Sequence, residues 1–219
     1  MSGTKARIWF GATAFVALGG LLVQLLVVAD YTEGFFDSTA ERVLNVFAFF
    51  TIQSNIIVGI TCVLLAVNPD RSSTVFRVFR LAGVDAITIT GIVYHSVLAQ
   101  LLDLESWALV ADHALHTISP IMAVVGWLMF GPRGLISPRI VWLSAIFPVC
   151  WCIFTLVRGE MVGFYPYPFI DVGALGYGRV FANCVWIAVL YLGLAAGAHV
   201  LDRWLGRVAR LAEAERAQP

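Results

Sequence analysis

Residues 8–29 read IWFGATAFVALGGLLVQLLVVA, with no charged side chain anywhere in the run. As an α-helix, rising about 1.5 Å per residue, the stretch covers about 33 Å, enough to cross the roughly 30 Å hydrocarbon core of a bilayer. Comparable apolar runs follow at Val43–Val67, Leu81–Leu101, Val110–Phe130, Ile140–Val157 and Gly178–Leu201. In lipid each backbone N–H and C=O must be bonded within the protein, and continuous runs of this length achieve that as helices rather than as alternating barrel strands. The composition agrees, being 60% hydrophobic and 13% charged, with a mean hydropathy of +0.86. The expectation is an all-α, polytopic membrane protein: one bundle of six transmembrane helices over residues 1–201, then a short cytoplasmic tail, 202–219, amphipathic or frayed. Lys5 and Arg7 precede the first run as they would in a signal peptide. That run is too long for one and lacks a small-x-small cleavage site before Asp30, so it reads as a retained span.

Basic and acidic residues are equal in number, 14 of each, but they alternate along the chain. Lys5 and Arg7, then Arg71, Arg77 and Arg80, then Arg133 and Arg139, then Arg203, Arg207, Arg210 and Arg216 fall on one side of the spans. Asp30, Glu33, Asp37, Glu41, Asp103, Glu105, Glu160 and Asp171 fall on the other. By the positive-inside rule both termini are cytoplasmic and the acidic loops face outward. Nothing in this balance argues for nucleic acid as a partner; the partner it implies is the lipid bilayer. Trp9, Trp107, Trp142 and Trp204 lie near span ends, where interfacial anchors belong. Cys62, Cys150, Cys152 and Cys184 lie inside spans and read as small apolar fillers, with Cys150 and Cys152 on different helix faces. No inverted repeat of broken helices stands out. Gly19 with Gly20, and Gly193 with Gly197, permit close helix packing, and the GxxxG spacing of the latter does not establish a dimer.

Polar side chains concentrate in one layer. Thr51, entering from Val43, is about 12 Å below the outer boundary, and His116, entering from Val110, about 9 Å. His95 and Asn183 fall in the same layer. Thr51, Ser54 and Asn55 form an i, i+3, i+4 stripe with Gln53 beside it, and Asp112, His113 and His116 form another. Ionisable groups in a membrane face the bundle interior and pair with one another. Each residue also has a plainer reading: Thr51 bonds back to the Phe47 carbonyl, His95 is a packing histidine, Asp112 and His113 are solvated at the interface, and Gln53, Ser54 and Asn55 glue helices together.

At these residues a resemblance enters. Phe49-Phe50-Thr51, the run Asp112-His113-Ala114-Leu115-His116-Thr117 with Pro120, and Tyr167-Pro168-Phe169 together resemble the androgen-induced integral membrane protein family. That family includes threonine hydrolases of fatty acid esters of hydroxy fatty acids and bacterial members. The resemblance implies a nucleophile at Thr51, an essential histidine at His116, and, for a bacterial-type member, a multi-pass place in the plasma membrane. The family usually has Asn where this chain has Asp112, and Ile52-Gln53-Ser54-Asn55 is more polar than in the animal enzymes.

The chemistry also stands on its own terms. An alcohol needs a neighbouring base to attack an ester, and an imidazole can take its proton and return it to the leaving alkoxide. Thr51 would be the nucleophile and His116 the base, with Asp112 as a possible orienting third member. Oxyanion or substrate-binding donors would come from Gln53, Ser54, Asn55, His95, Asp112, His113 or Asn183, because amides inside a helix are already bonded. This reading takes a lipid ester as substrate and calls for no cofactor and no metal. Two alternatives stay open. One is a zinc-dependent hydrolase using His95, Asp112 and His116, or His113 in place of one. The other is a small transporter or lipid-binding protein without catalysis, for which Asp85, Thr88 and Thr90 extend the polar line inward. Asp85 can also simply pair with a basic group near Arg80. Arg158, Glu160, Tyr165, Pro166, Tyr167 and Pro168 read as a rigid aromatic loop over the layer, and Gly173, Gly176 and Gly178 as a turn before the last helix.

Overall fold

The computed structural model describes residues 3–101 and 103–216; the end of the expected tail, 217–219, lies outside the described residues. Among the described residues, six helical segments are long and apolar enough to cross a membrane: Gly3–Asp30, Phe50–Val67, Thr74–Leu101, Ser106–Phe130, Pro138–Val162 and Val172–Leu211. No strand occurs among the described residues. The chain is an integral membrane protein built as a helical bundle.

The first span is a single helix, α1 (Gly3–Asp30). The second apolar run, expected as one span from Val43, is two helices: a short amphipathic α2 (Thr39–Val46) and α3 (Phe50–Val67), separated by an extended residue at Phe49. Ser38 starts α2 with a capping box, its hydroxyl accepting from the Glu41 amide while the Glu41 carboxylate reaches back to the Ser38 amide. Carbonyls freed at the break find side-chain donors: Gln53 Nε2 donates to Phe47 at 3.0 Å and Trp151 Nε1 to Ala48 at 2.9 Å. Phe47-Ala48-Phe49 is uniformly apolar, and of the two donors only Trp151 is distant in the chain.

The third span is α4 (Thr74–Val93), extended by a π turn at Tyr94–Leu98 and a 3-10 turn at Ala99–Leu101. The fourth is α5 (Ser106–His113), a π turn at Ala114–Ile118, and α6 (Ser119–Phe130). That π turn falls where Pro120, which has no N–H and whose ring crowds the carbonyl four residues back, cannot close an α turn onto His116. Gly91 of α4 makes room: a Cβ there would stand 3.2 Å from the Pro120 Cβ and 3.6 Å from the His116 carbonyl oxygen. The fifth span is offset at Ala145 into α7 (Pro138–Ser144) and α8 (Ile146–Val162). Pro148 leaves the Ser144 carbonyl without its helical donor, and the buried Tyr191 hydroxyl supplies one at 2.9 Å. The last helix, α9 (Val172–Arg216), is kinked at Gly176, which has φ 74°, so the expected turn among Gly173, Gly176 and Gly178 is present.

Lipid tails are as apolar as leucine, so close approach rather than water exclusion holds such helices together. A Cβ on Gly59 would lie 2.6 Å from Leu18, and one on Gly20 would lie 2.8 Å from the Ala114 Cβ, which is how α1 seats against α3 and the α5–α6 span. A Cβ on Gly193 or Gly197 would meet nothing within 4 Å among the described residues, so their GxxxG face packs on none of them. α4 is central, touching α3, α6, α7 and α9.

Three expectations are refined. Trp9 is half-buried and tied to the bundle: its indole donates to the Met122 carbonyl at 3.0 Å and its ring packs on Phe130. Trp107, Trp142 and Trp204 are exposed. Asp202 does not open a separate tail. It is fully buried in α9, well past the Gly176 kink, and accepts from the Gly134 and Ile136 amides at 3.0 and 2.9 Å, tying down the 131–137 loop. Asp85 does not pair with Arg80. The Arg80 guanidinium lies over the Phe10 ring and donates to Cys62, while one Asp85 carboxylate oxygen is buried without a partner.

Candidate active site

The α2–α3 break decides where Thr51 sits. It is in the first turn of α3, where backbone amides have no helical acceptor, instead of in mid-helix as a continuous span would place it. Its N–H donates to the Tyr167 hydroxyl at 3.2 Å, and its Oγ lies 3.3 Å from the same oxygen. The back-bond to Phe47 is not made; Gln53 takes that carbonyl. Thr51 therefore keeps its hydroxyl off its own helix, and its amide is bonded to the Tyr167 side chain instead of to a helical carbonyl. Tyr167 is buried, with its ring stacked on Phe169 at 5.2 Å and edge-on to Phe49 at 5.7 Å. Burial pushes its phenol above the ordinary range, an effect the Thr51 hydrogen bonds oppose, so it remains protonated at neutral pH.

The second stripe closes on itself. Asp112 is buried, and its carboxylate accepts from His116 Nδ1 at 2.8 Å and from the Tyr94 hydroxyl at 2.6 Å. Nδ1 also lies 3.2 Å from the Asp112 carbonyl. Both partners of Nδ1 are acceptors, so Nδ1 carries a proton, and Nε2 is the ring nitrogen that Asp112 does not engage. The imidazole stacks on Tyr94 with ring centroids 4.0 Å apart. His113 is 3.7 Å from Asp112 but largely exposed. The two π turns face each other here, with His95 Nε2 3.1 Å from the Thr117 hydroxyl. π turns recur at functional sites because the extra residue re-aims side chains.

The remaining candidates are occupied with structure. Asn55 Nδ2 donates to the Thr51 carbonyl at 2.9 Å and to the Leu115 carbonyl at 3.2 Å, joining the two stripes through the backbone next to His116. Ser54 bonds back to Phe50, and Asn183 Nδ2 holds the Phe169 carbonyl at 2.8 Å. No hydrogen bond among the described residues joins Thr51 to His116. Nor do three His, Cys, Asp or Glu side chains among them converge as metal ligands; His95, the third member of that alternative, is turned to Thr117.

Thr51 also lines a cavity of about 610 Å³ whose wall includes Thr90 and Val93 of α4, Trp151, Tyr167 and Tyr191. Its lining further includes Trp142, Ile146, Val149 and Ile153 on the fifth span and Phe181 and Val185 on α9, all exposed on the outside of the bundle. The cavity therefore opens sideways, between α8 and α9, toward hydrocarbon. His116 is not in its wall. Thr51 and the Asp112–His116 pair meet the same stretch of α4, one across the Thr90–Val93 lining and the other on the Tyr94 ring. Tyr94 went unnoticed in the sequence because a tyrosine in an apolar helix reads as packing; its place beside His95 in the polar layer was the available signal. Comparison of the chain with protein-family models, with curated proteins and with solved structures gave no match.

Proposed function

We propose that the protein is a membrane hydrolase of lipid esters, with Thr51 as nucleophile and His116 as general base. The observation that carries this reading is the Tyr94–Asp112–His116 relay, which holds the imidazole by Nδ1 and whose Tyr94 belongs to the span that also walls the Thr51 cavity. In this scheme an ester enters sideways with its chains in the cavity and its carbonyl at Thr51. Oγ attacks the carbonyl carbon and His116 Nε2 takes the hydroxyl proton; catalytic hydrogen bonds commonly close only once substrate is in place. The Thr51 amide and the Tyr167 hydroxyl are the oxyanion donors. The tetrahedral intermediate expels the alkoxide, which recovers the proton from His116, and water then hydrolyses the acyl-threonine to a free acid. Asp112 steadies the imidazolium. The resemblance to the androgen-induced integral membrane protein family supports the same assignment and fatty acid esters of hydroxy fatty acids as the substrate class. With both termini cytoplasmic, the site lies in the outer leaflet of a bacterial plasma membrane.

The test is release of fatty acid from a panel of long-chain esters, branched hydroxy-fatty-acid esters included, by purified protein in detergent with chelator present. Thr51→Ala and His116→Ala should each lose about 10²–10⁴-fold, the usual scale of nucleophile activation and acid–base catalysis. Full activity in both variants would remove the assignment. A second reading, lipid binding without catalysis, is favoured by the absence of His116 from the cavity wall. Saturable ester binding with no turnover in the wild-type protein would select it.

A further inference from the structure

Cys152 of α8 and Cys184 of α9 face one another across the cavity wall with their sulfurs 3.6 Å apart. Neither α8 nor α9 is firmly embedded, since most residues of both face outward. A further approach of about 1.5 Å would bring the sulfurs to the roughly 2.0 Å of a disulfide. Cys152 stands ten residues before the end of α8 at Val162, about 15 Å along the helix, with Cys184 at its level. At that depth an oxidant must arrive dissolved in lipid, and the sideways mouth delivers it. The other two thiols are differently placed. Cys150 is exposed on another face of α8, and Cys62 is buried against Arg80.

We propose that Cys152 and Cys184 are a redox modification site: a lipid hydroperoxide oxidises them to a disulfide that staples α8 to α9 and restricts the cavity mouth. One thiol sulfur attacks the terminal peroxide oxygen, the O–O bond breaks, and a lipid alcohol leaves with the proton, giving a sulfenic acid. The second thiol attacks that sulfur, the S–O bond breaks, and water departs. Two thiols have lost two electrons and two protons; the hydroperoxide has become an alcohol and water. Reduction by a dithiol reopens the pair. The staple acts on the cavity that the proposed function takes as the acyl-chain site, and that part rests on the same reading.

The full-length protein in phosphatidylcholine vesicles is treated with linoleic acid hydroperoxide, denatured and reacted with a maleimide, and the labels are counted by intact mass. The free thiols should fall from the four of the sequence to two, with peptide mapping joining Cys152 to Cys184 and dithiothreitol restoring all four. Cys150→Ser should close its disulfide like the wild type, whereas Cys152→Ser and Cys184→Ser should form none. Four thiols persisting after treatment, or a link through Cys150 or between chains, would overturn the site. Exchange of a fluorescent long-chain dialkyl ether, which cannot be hydrolysed, between vesicles and protein should be several-fold slower in the oxidised form, and Cys152→Ser should remove that difference. Equal exchange with the disulfide complete would overturn the restriction. Neither readout involves ester hydrolysis, so loss of the hydrolase assignment would leave the thiol count standing.

Discussion

Tyr94 shows how much one hydroxyl can settle. It donates to the Asp112 oxygen that His116 leaves free, and its ring is the floor on which the imidazole lies. Tyr94→Phe keeps the floor and removes the donor. A hydrogen bond to a charged acceptor is worth about 1.5–3 kcal/mol, so the carboxylate should hold the histidine less firmly. The expected outcome is a fall in kcat of about tenfold or more with KM unchanged; a change in KM alone would mean that Tyr94 shapes the cavity instead of the relay. Sequence spacing brought Asp112 and His116 together correctly because i, i+4 neighbours on one helix meet whatever surrounds them. It could not show where Thr51 points, because that depends on Tyr167, which is 116 positions away. Nor could it show Cys152 against Cys184, since the register between two helices is set by packing.

The six spans were legible as elements because hydrocarbon thickness imposes a minimum apolar length. The α2–α3 break was not, since Phe47, Ala48 and Phe49 suit a continuous span as well as a turn. α2 carries its own signal in Ser38 and Glu41, the reciprocal cap that stops it joining α1. The Ser38 hydroxyl and amide, 2.7 and 3.3 Å from the Glu41 carboxylate, hold that carboxyl below the ordinary glutamate range. A folded-state pKa below the unfolded one means the contribution is fully present above the ordinary value and is lost as pH falls through the lowered one. Amide exchange at residues 39–42 should therefore accelerate, beyond its intrinsic pH dependence, as pH falls below the ordinary glutamate range. Ser38→Ala should exchange quickly at every pH, and an unchanged profile in that variant would show that α2 is held by packing alone. The π turn ahead of Pro120 is a further element that periodicity misses, because one added residue per turn leaves no mark in an apolar run.

At the scale of the molecule, α4 is the axis and the fifth and sixth spans are the loose side. The first four spans interlock through Gly20, Gly59 and Gly91, whereas α8 and α9 leave a cavity of about 610 Å³ between them. The run lengths foretold the bundle, and the aromatic loop at 163–171 reaches Thr51 through Tyr167 and packs on Phe35 and Phe36 through Phe164. The direction in which the cavity opens has a consequence for any assay. A mouth facing hydrocarbon meets its ligand in two dimensions, so what the protein senses is mole fraction in the membrane, not molarity in the tube. Diluting an ester with inert phosphatidylcholine at constant total ester should slow the reaction in proportion, while diluting the vesicles with buffer should leave turnover per protein unchanged. The opposite pattern would mean that substrate arrives through water. Under the expected pattern, the natural scale for its affinity is set by the lipid composition of the membrane around it.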